Sequence, residues 1–173
     1  PLTQTVIAGD SVTLSVEATG MGTLTYQWIK DSFELPGETA STLTLNPVTE
    51  ASEGSYTVRV SSGTSSQVSN PAQLTVLVRP KITLDPVSAV VDEGSTTVLT
   101  VAASGKSAPT YQWFFEKQLL GGQTGASLSL SPVTSQKAGN YYAVASNAAG
   151  SVTSLTARIT LTFSAPFVSP QYT

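Results

Sequence analysis

Eleven carboxylates, eight Lys and Arg, and no His or Cys are the ionisable resources of this 173-residue chain. A pair of those carboxylates could serve as general acid and base on a glycosidic bond, and several converging oxygens could hold calcium. Without imidazole or thiol, the usual general base, the thiolate nucleophile and the preferred transition-metal ligands are missing. Asp85, Asp92 and Glu93 fall close together in sequence but lack the spacing of a calcium loop, so they read as solvated turn carboxylates. An isopeptide crosslink needs a Lys, an Asn and an acid buried together, and Lys30 is the sole lysine of the first half. Gly121, Gly122 and Gly125 read as turn glycines rather than a phosphate loop. No cofactor and no metal site is expected.

The elements that carry these groups come from a duplication. Thr25-Tyr26-Gln27-Trp28 returns 85 positions later, without a gap, as Thr110-Tyr111-Gln112-Trp113. Leu43, Leu45, Pro47 and Val48 return as Leu128, Leu130, Pro132 and Val133, and Gly54 and Tyr56 as Gly139 and Tyr141. In this register Asp10, Glu17, Glu34, Glu38, Glu50 and Glu53 meet no acid in the second copy; Asp31 alone meets one, Glu116. A catalytic carboxylate pair is not supported, and the chain is not expected to be an enzyme.

Only 11% of residues are charged, and Val, Thr, Tyr, Phe and Trp recur in short runs between Gly, Pro and Ser, which favours strands over helices. Val12, Leu14, Val16 and Ala18 alternate with Thr13, Ser15, Glu17 and Thr19, the pattern of a half-buried strand. The same period of two runs through Tyr26/Trp28, Leu43/Leu45, Tyr56/Val58/Val60 and Ala72/Leu74/Val76. Short strands at roughly ten-residue spacing predict β-sandwiches.

The order Leu14-Ser15-Val16-Glu17-Ala18, Tyr26-Gln27-Trp28, Leu43-Thr44-Leu45 and Gly54-Ser55-Tyr56-Thr57-Val58 resembles strands B, C, E and F of an immunoglobulin domain. The second copy, ending in Ala145-Ser146-Asn147-Ala148-Ala149-Gly150, resembles cysteine-free, I-set-like bacterial immunoglobulin-like repeats. That resemblance implies an all-β chain of two tandem Greek-key sandwiches. It also places Val16 and Val58, and Val101 and Ala143, where such a domain carries its inter-sheet disulfide, with Trp28 and Trp113 packed over them. Tyr56 and Tyr141 then take the place of the tyrosine corner. The family's usual Asp two residues before the Gly of this motif is replaced by Ser52 and Lys137.

The expected boundaries are residues 1–78 and 79–163 for the two domains, with 164–173 as a tail or the start of a following repeat. Arg79 and Pro80 leave almost no linker, which suggests domains set end to end. The first copy has no counterpart of Pro80-Lys81-Ile82-Thr83-Leu84, so its first strand segment is expected to be missing. The tail Ala165-Pro166-Phe167-Val168-Ser169-Pro170 looks like the entry to another repeat, and the chain reads as an excerpt from an array. A second reading makes Phe163, Phe167 and Val168 part of a donor strand that completes the first domain of a neighbouring subunit.

Three outward positions differ between copies. Phe114, Tyr142 and Val144 stand where the first copy has Ile29, Thr57 and Arg59, which makes an apolar candidate interaction face. The net charge of −3 and the scattered basic residues argue against nucleic acid as a partner, and no apolar run is long enough to insert in a membrane. The expectation is a structural or adhesive segment of a secreted or cell-surface protein, whether stalk, spacer or fibre-forming repeat, whose partners are neighbouring repeats or subunits, including a homopolymer. A module that binds other proteins or glycan, or a decoration of a viral particle, are the alternatives.

Overall fold

A computed structural model describes residues 1–162; the tail and the candidate donor-strand residues Phe163, Phe167 and Val168 lie outside the described residues. Contacts divide the chain between Val78 and Arg79 into two units. Both are built from strands, with one short 3-10 turn each, at Glu50–Ser52 and Ser135–Lys137.

In the first unit the strands are β1 (Gln4–Ile7), β2 (Val12–Ser15), β3 (Leu24–Lys30), β4 (Phe33–Glu34), β5 (Thr42–Leu45), β6 (Gly54–Ser62), β7 (Ser65–Val68) and β8 (Ala72–Leu77). One sheet runs β1-β8-β6-β3-β4, with β7 also on β6, and the other is β2-β5. β3 lies antiparallel to β6 with Trp28 opposite Val58, while β1 runs parallel to β8. Alternation on β2 and β8 points Val12, Leu14, Leu74 and Val76 into one cluster around Trp28, Leu43, Val48, Tyr56 and Val58. Each of these side chains leaves water almost completely, and a fully buried Leu or Val is stabilised by about 1.5–3 kcal/mol relative to exposure.

The second unit repeats this plan. β9 (Lys81–Leu84), β10 (Ala89–Asp92), β11 (Thr97–Thr100), β12 (Ala102–Ser104), β13 (Thr110–Phe115), β14 (Gln118–Leu119), β15 (Ser127–Leu130), β16 (Gly139–Asn147), β17 (Gly150–Thr153) and β18 (Ala157–Thr162) follow in order. The sheet β10-β18-β16-β13-β14, with β17 on β16, faces the pairs β11-β15 and β12-β9. Leu99, Val101, Trp113, Leu128, Val133, Tyr141, Ala143 and Ile159 form its core.

The units differ at one edge. In the second, β9 runs antiparallel to β12, with Ile82 opposite Ala103, and Ile82 packs on the core. No strand among the described residues pairs with Glu17–Thr19, the equivalent segment of the first unit. This has a measurable consequence for the positions that replace the disulfide. Val58, Val101 and Ala143 are buried, but Val16 is only half-buried at the margin of its cluster.

Candidate interaction surface

The chain's chemically capable groups are mostly occupied in holding turns. Between β3 and β4 the chain reverses in two residues, Asp31 and Ser32, both at positive φ (49° and 75°); Glu116 and Lys117 do the same between β13 and β14 (46° and 66°). Positive φ at both central positions is what a type I′ hairpin turn requires, because its twist matches that of the strands. The turn aims a carboxylate back at the start of the next long strand. Asp31 Oδ1 accepts the Ser55 amide at 2.8 Å, and Glu116 Oε1 accepts the Asn140 amide at 2.7 Å. The Ser55 amide, followed by the Lys30 ammonium, holds the Asp31 carboxyl below its ordinary range. A Cβ on Gly54 would lie 2.5 Å from Asp31 Oδ2, and one on Gly139 would lie 2.6 Å from Glu116 Oε1. Glycine fits both places because the side-chain space is taken, by the carboxylate at Gly54 and by the carboxylate together with the Phe115 ring at Gly139, whose Cε2 would also lie 2.6 Å from a Cβ.

The tyrosines two residues on are locked by their hydroxyls. Tyr56 donates to the Ser52 carbonyl at 2.6 Å, and Tyr141 to that of Lys137 at 2.7 Å. Burial, and then the nearby Asp31 or Glu116 charge, pushes each phenol up to about 12. The tryptophans are fully buried, yet their indole N–H groups still find carbonyls, Ala40 for Trp28 and Gly125 for Trp113, both at 2.9 Å. Gln27 and Gln112 tie strand to turn through the Leu35 and Leu120 carbonyls, each at 2.7 Å.

Other carboxylates act likewise. Glu53 accepts the Val76 amide at 2.8 Å, Asp85 accepts the Leu155 amide at 2.7 Å, and Asp92 accepts the Thr162 hydroxyl. Among the described residues no three of Asp, Glu, His or Cys come together in a group able to hold a metal ion.

What differs between the units is the outer face of the large sheet. In the second unit Phe114 lies opposite Tyr142, and Gln112 opposite Val144, on β13 and β16. The Phe114 and Tyr142 rings stack at 5.0 Å between centroids with planes 3° apart. Both rings and Val144 are half-buried, so the face is a packed apolar stripe rather than loose side chains. Leu119 on β14 extends it beside Phe114 and is 60% exposed. In the first unit the positions of Leu119 and Val144 hold Glu34 and Arg59, whose ion pair spans 2.7 Å, with Ile29 and Thr57 between. Phe114, Tyr142 and Val144 are therefore brought onto one face, and Leu119 is a fourth member that strand alternation alone had not brought in. Its signal was available, since the 85-residue shift sets it against Glu34.

Comparison with known proteins places this geometry. The family profile described as immunoglobulin domain matches residues 1–62 and 79–147. The chain belongs to the immunoglobulin-domain family. Immunoglobulin-domain relatives include mouse (Mus musculus) hemicentin-2, 34% identical over 87% of this chain and 3% of its own length. Human (Homo sapiens) mucosa-associated lymphoid tissue lymphoma translocation protein 1 is 33% identical over 66% of this chain and 16% of its own length. Endoglucanase C of Cellulomonas fimi is 36% identical over 52% of this chain and 8% of its own length. The chain thus spans less than a quarter of the curated relatives it matches. A three-domain I-band fragment of titin superposes with a TM-score of 0.74 at 24% identity, covering 93% of this chain and 63% of the fragment. That likeness bears on the fold: two tandem immunoglobulin-like sandwiches.

Proposed function

We propose that the chain is a non-enzymatic structural and adhesive segment of an extracellular or cell-surface protein, making protein contacts through the outer face of the β13–β16 sheet. The observation that carries this reading is the replacement of the Arg59–Glu34 ion pair of one copy by the apolar stripe Leu119, Phe114, Tyr142 and Val144 in the other. Most core positions stay apolar in both copies, so an outward face that changes from an ion pair to packed apolar side chains fits an acquired contact rather than a requirement of the fold. Aromatic rings held by stacking lose little freedom when covered, which favours them as interface anchors. One relative's name supports an adhesive role, the neural cell adhesion molecule L1-like protein of Mus musculus, 30% identical over 64% of this chain. The match to a Cellulomonas fimi endoglucanase and the charge-poor composition favour a secreted bacterial parent, in which the segment acts as a stalk, spacer or fibre-forming repeat.

The double substitution Phe114→Ser/Tyr142→Ser tests the face. Beads bearing the wild-type chain are expected to adhere to one another and beads bearing the variant to stay dispersed, with both proteins showing the same β-sheet circular dichroism. Equal behaviour of the two bead populations, with the variant folded, would remove the face from the proposal.

A further inference from the structure

Beside the start of the long strand the two units share one register, and there the first unit has a carboxylate that the second lacks. Val76 on β8 lies opposite Val6 on β1, and Leu161 on β18 lies opposite Val91 on β10. On the other side Gly54 pairs with Leu74, and Gly139 with Ile159. The Val76 amide, beyond the paired end of β6, is taken by Glu53 Oε2 at 2.8 Å. The 85-residue shift puts Ala138 where Glu53 stands and Leu161 where Val76 stands. Ala138 ends at Cβ and offers the Leu161 amide no acceptor.

At this place in the second unit lies a cavity of about 450 Å³, whose lining includes Ala138, Leu161, Arg158, Ser135 and Glu116. The residues around it have turned from acidic to basic. Ser135 replaces Glu50 and Arg158 replaces Gln73, while Lys137 and Lys117 stand at the positions of Ser52 and Ser32. Lys137 Nζ is spent on the Ser131 and Pro132 carbonyls, at 3.3 and 2.9 Å. Arg158 lines the cleft itself, and among the described residues no carboxylate comes within ion-pair distance of it. Glu116 also lines the cleft, but its Oε1 already accepts both the Asn140 amide and Asn140 Nδ2, at 2.7 and 3.1 Å.

We propose that this cleft binds an acidic side chain of a partner protein, whose carboxylate accepts the Leu161 amide while the Arg158 guanidinium supplies the countercharge. Glu53 is the precedent within the chain, since the same place in the fold receives a carboxylate of its own in the first unit. The second unit keeps the amide and adds a cation, and hydrogen bonds to an ionised acceptor are the stronger kind. The volume falls within the range of about 300–1,000 Å³ common to ligand clefts. That is more than a bare anion fills, which favours a side chain arriving with its backbone over a free ion. The cleft lies on β18 at the entry to β16, and the inference goes beyond the contact face proposed above without resting on it.

The test is an amide NMR titration of the nitrogen-15-labelled full chain at constant ionic strength, with four probes. These are the blocked peptide acetyl-Gly-Glu-Gly-amide, its Gln counterpart, acetyl-Gly-Gly-Gly with a free chain end, and sodium acetate. The Glu peptide is expected to move the Leu161 amide saturably and the Gln peptide to leave it in place. The Val76 amide, already held by Glu53, should stay still throughout and serves as the control within the same molecule. Arg158→Gln, which installs the residue of the first unit, should raise the midpoint by at least about threefold, as expected for an exposed ion pair. Ala138→Glu should abolish the response by supplying the carboxylate from within. No saturable shift with the Glu peptide, equal movement of Val76, or a response that survives in a folded Ala138→Glu variant would overturn the proposal. A lower midpoint for the free chain end, or an equal one for acetate, would overturn it too, by giving the cleft to a chain terminus or a free carboxylate. Should Ala138→Glu fail to fold, the Arg158→Gln midpoint and the contrast between Leu161 and Val76 decide.

Discussion

The hairpin turn that caps the long strand is the same in both units although its residues are not, while β12 is covered by β9 and the equivalent Glu17–Thr19 pairs with no strand among the described residues. Asp31 and Glu116 differ by a methylene, yet each reaches an amide across its turn at 2.8 or 2.7 Å, because the positive-φ pair and the facing glycine recur with it. By contrast, Val16 and Val101 are identical side chains in equivalent strands, and they differ in burial because β9 covers one and nothing among the described residues covers the other. Local geometry is thus fixed by a few residues in contact, whereas burial at a sheet edge depends on whether a further strand arrives.

The tryptophans give the largest expected effect and should not distinguish the units. Trp28→Ala and Trp113→Ala each remove a fully buried ring and its indole hydrogen bond to a turn carbonyl, and each should cost its own unit about 3–5 kcal/mol. Denaturation followed by the indole N–H signal of the remaining tryptophan reports the untouched unit, and circular dichroism reports both. A loss below about 1 kcal/mol in either unit would mean that its core collapses around the gap in a way the other's does not.

The valines should separate the units. Val101→Ala removes two buried methyl-sized groups and should cost about 2 kcal/mol, whereas Val16→Ala, at a half-buried position, should cost about 1 kcal/mol or less. Equal losses measured by denaturant midpoint would show that Val16 is covered in solution.

The sandwich was legible in the sequence because its core obeys a period of two that repeats at a fixed shift: Trp28, Leu43, Tyr56 and Val58 return as Trp113, Leu128, Tyr141 and Ala143, and they gather in two clusters. The stripe on β13 and β16 was legible for the same reason, since alternation assigns Phe114, Tyr142 and Val144 to one face. What alternation could not supply was the stacking of two rings, which depends on side-chain torsions, or the half-burial of Val16, which depends on a strand distant in sequence. The role of Asp31 and Glu116 was hidden for another reason. An acid that recurs reads as a candidate for chemistry until the turn's backbone shows it accepting an amide.

The tyrosine hydroxyls give the smallest effect, and it should be equal in both units because the corner is built alike. Tyr56→Phe and Tyr141→Phe each delete a hydrogen bond to a carbonyl, of 2.6 and 2.7 Å, and at neutral pH each should cost about 1 kcal/mol. The pH dependence gives this a second readout. Burial keeps both phenols protonated up to about 12 in the folded chain against an ordinary value of 10.0, so the folded state binds protons that the unfolded state has released. The stability linked to each tyrosine is therefore complete below pH 10 and is lost as pH rises through 12. A phenylalanine variant has nothing to lose over that range, so its deficit relative to wild type should narrow between pH 10 and 12 in denaturant midpoints taken at each pH. A deficit that stays constant would mean the phenol ionises as easily folded as unfolded. A deficit that narrows in one unit only would show that the two corners, alike in hydrogen bonding, differ in how well they exclude water.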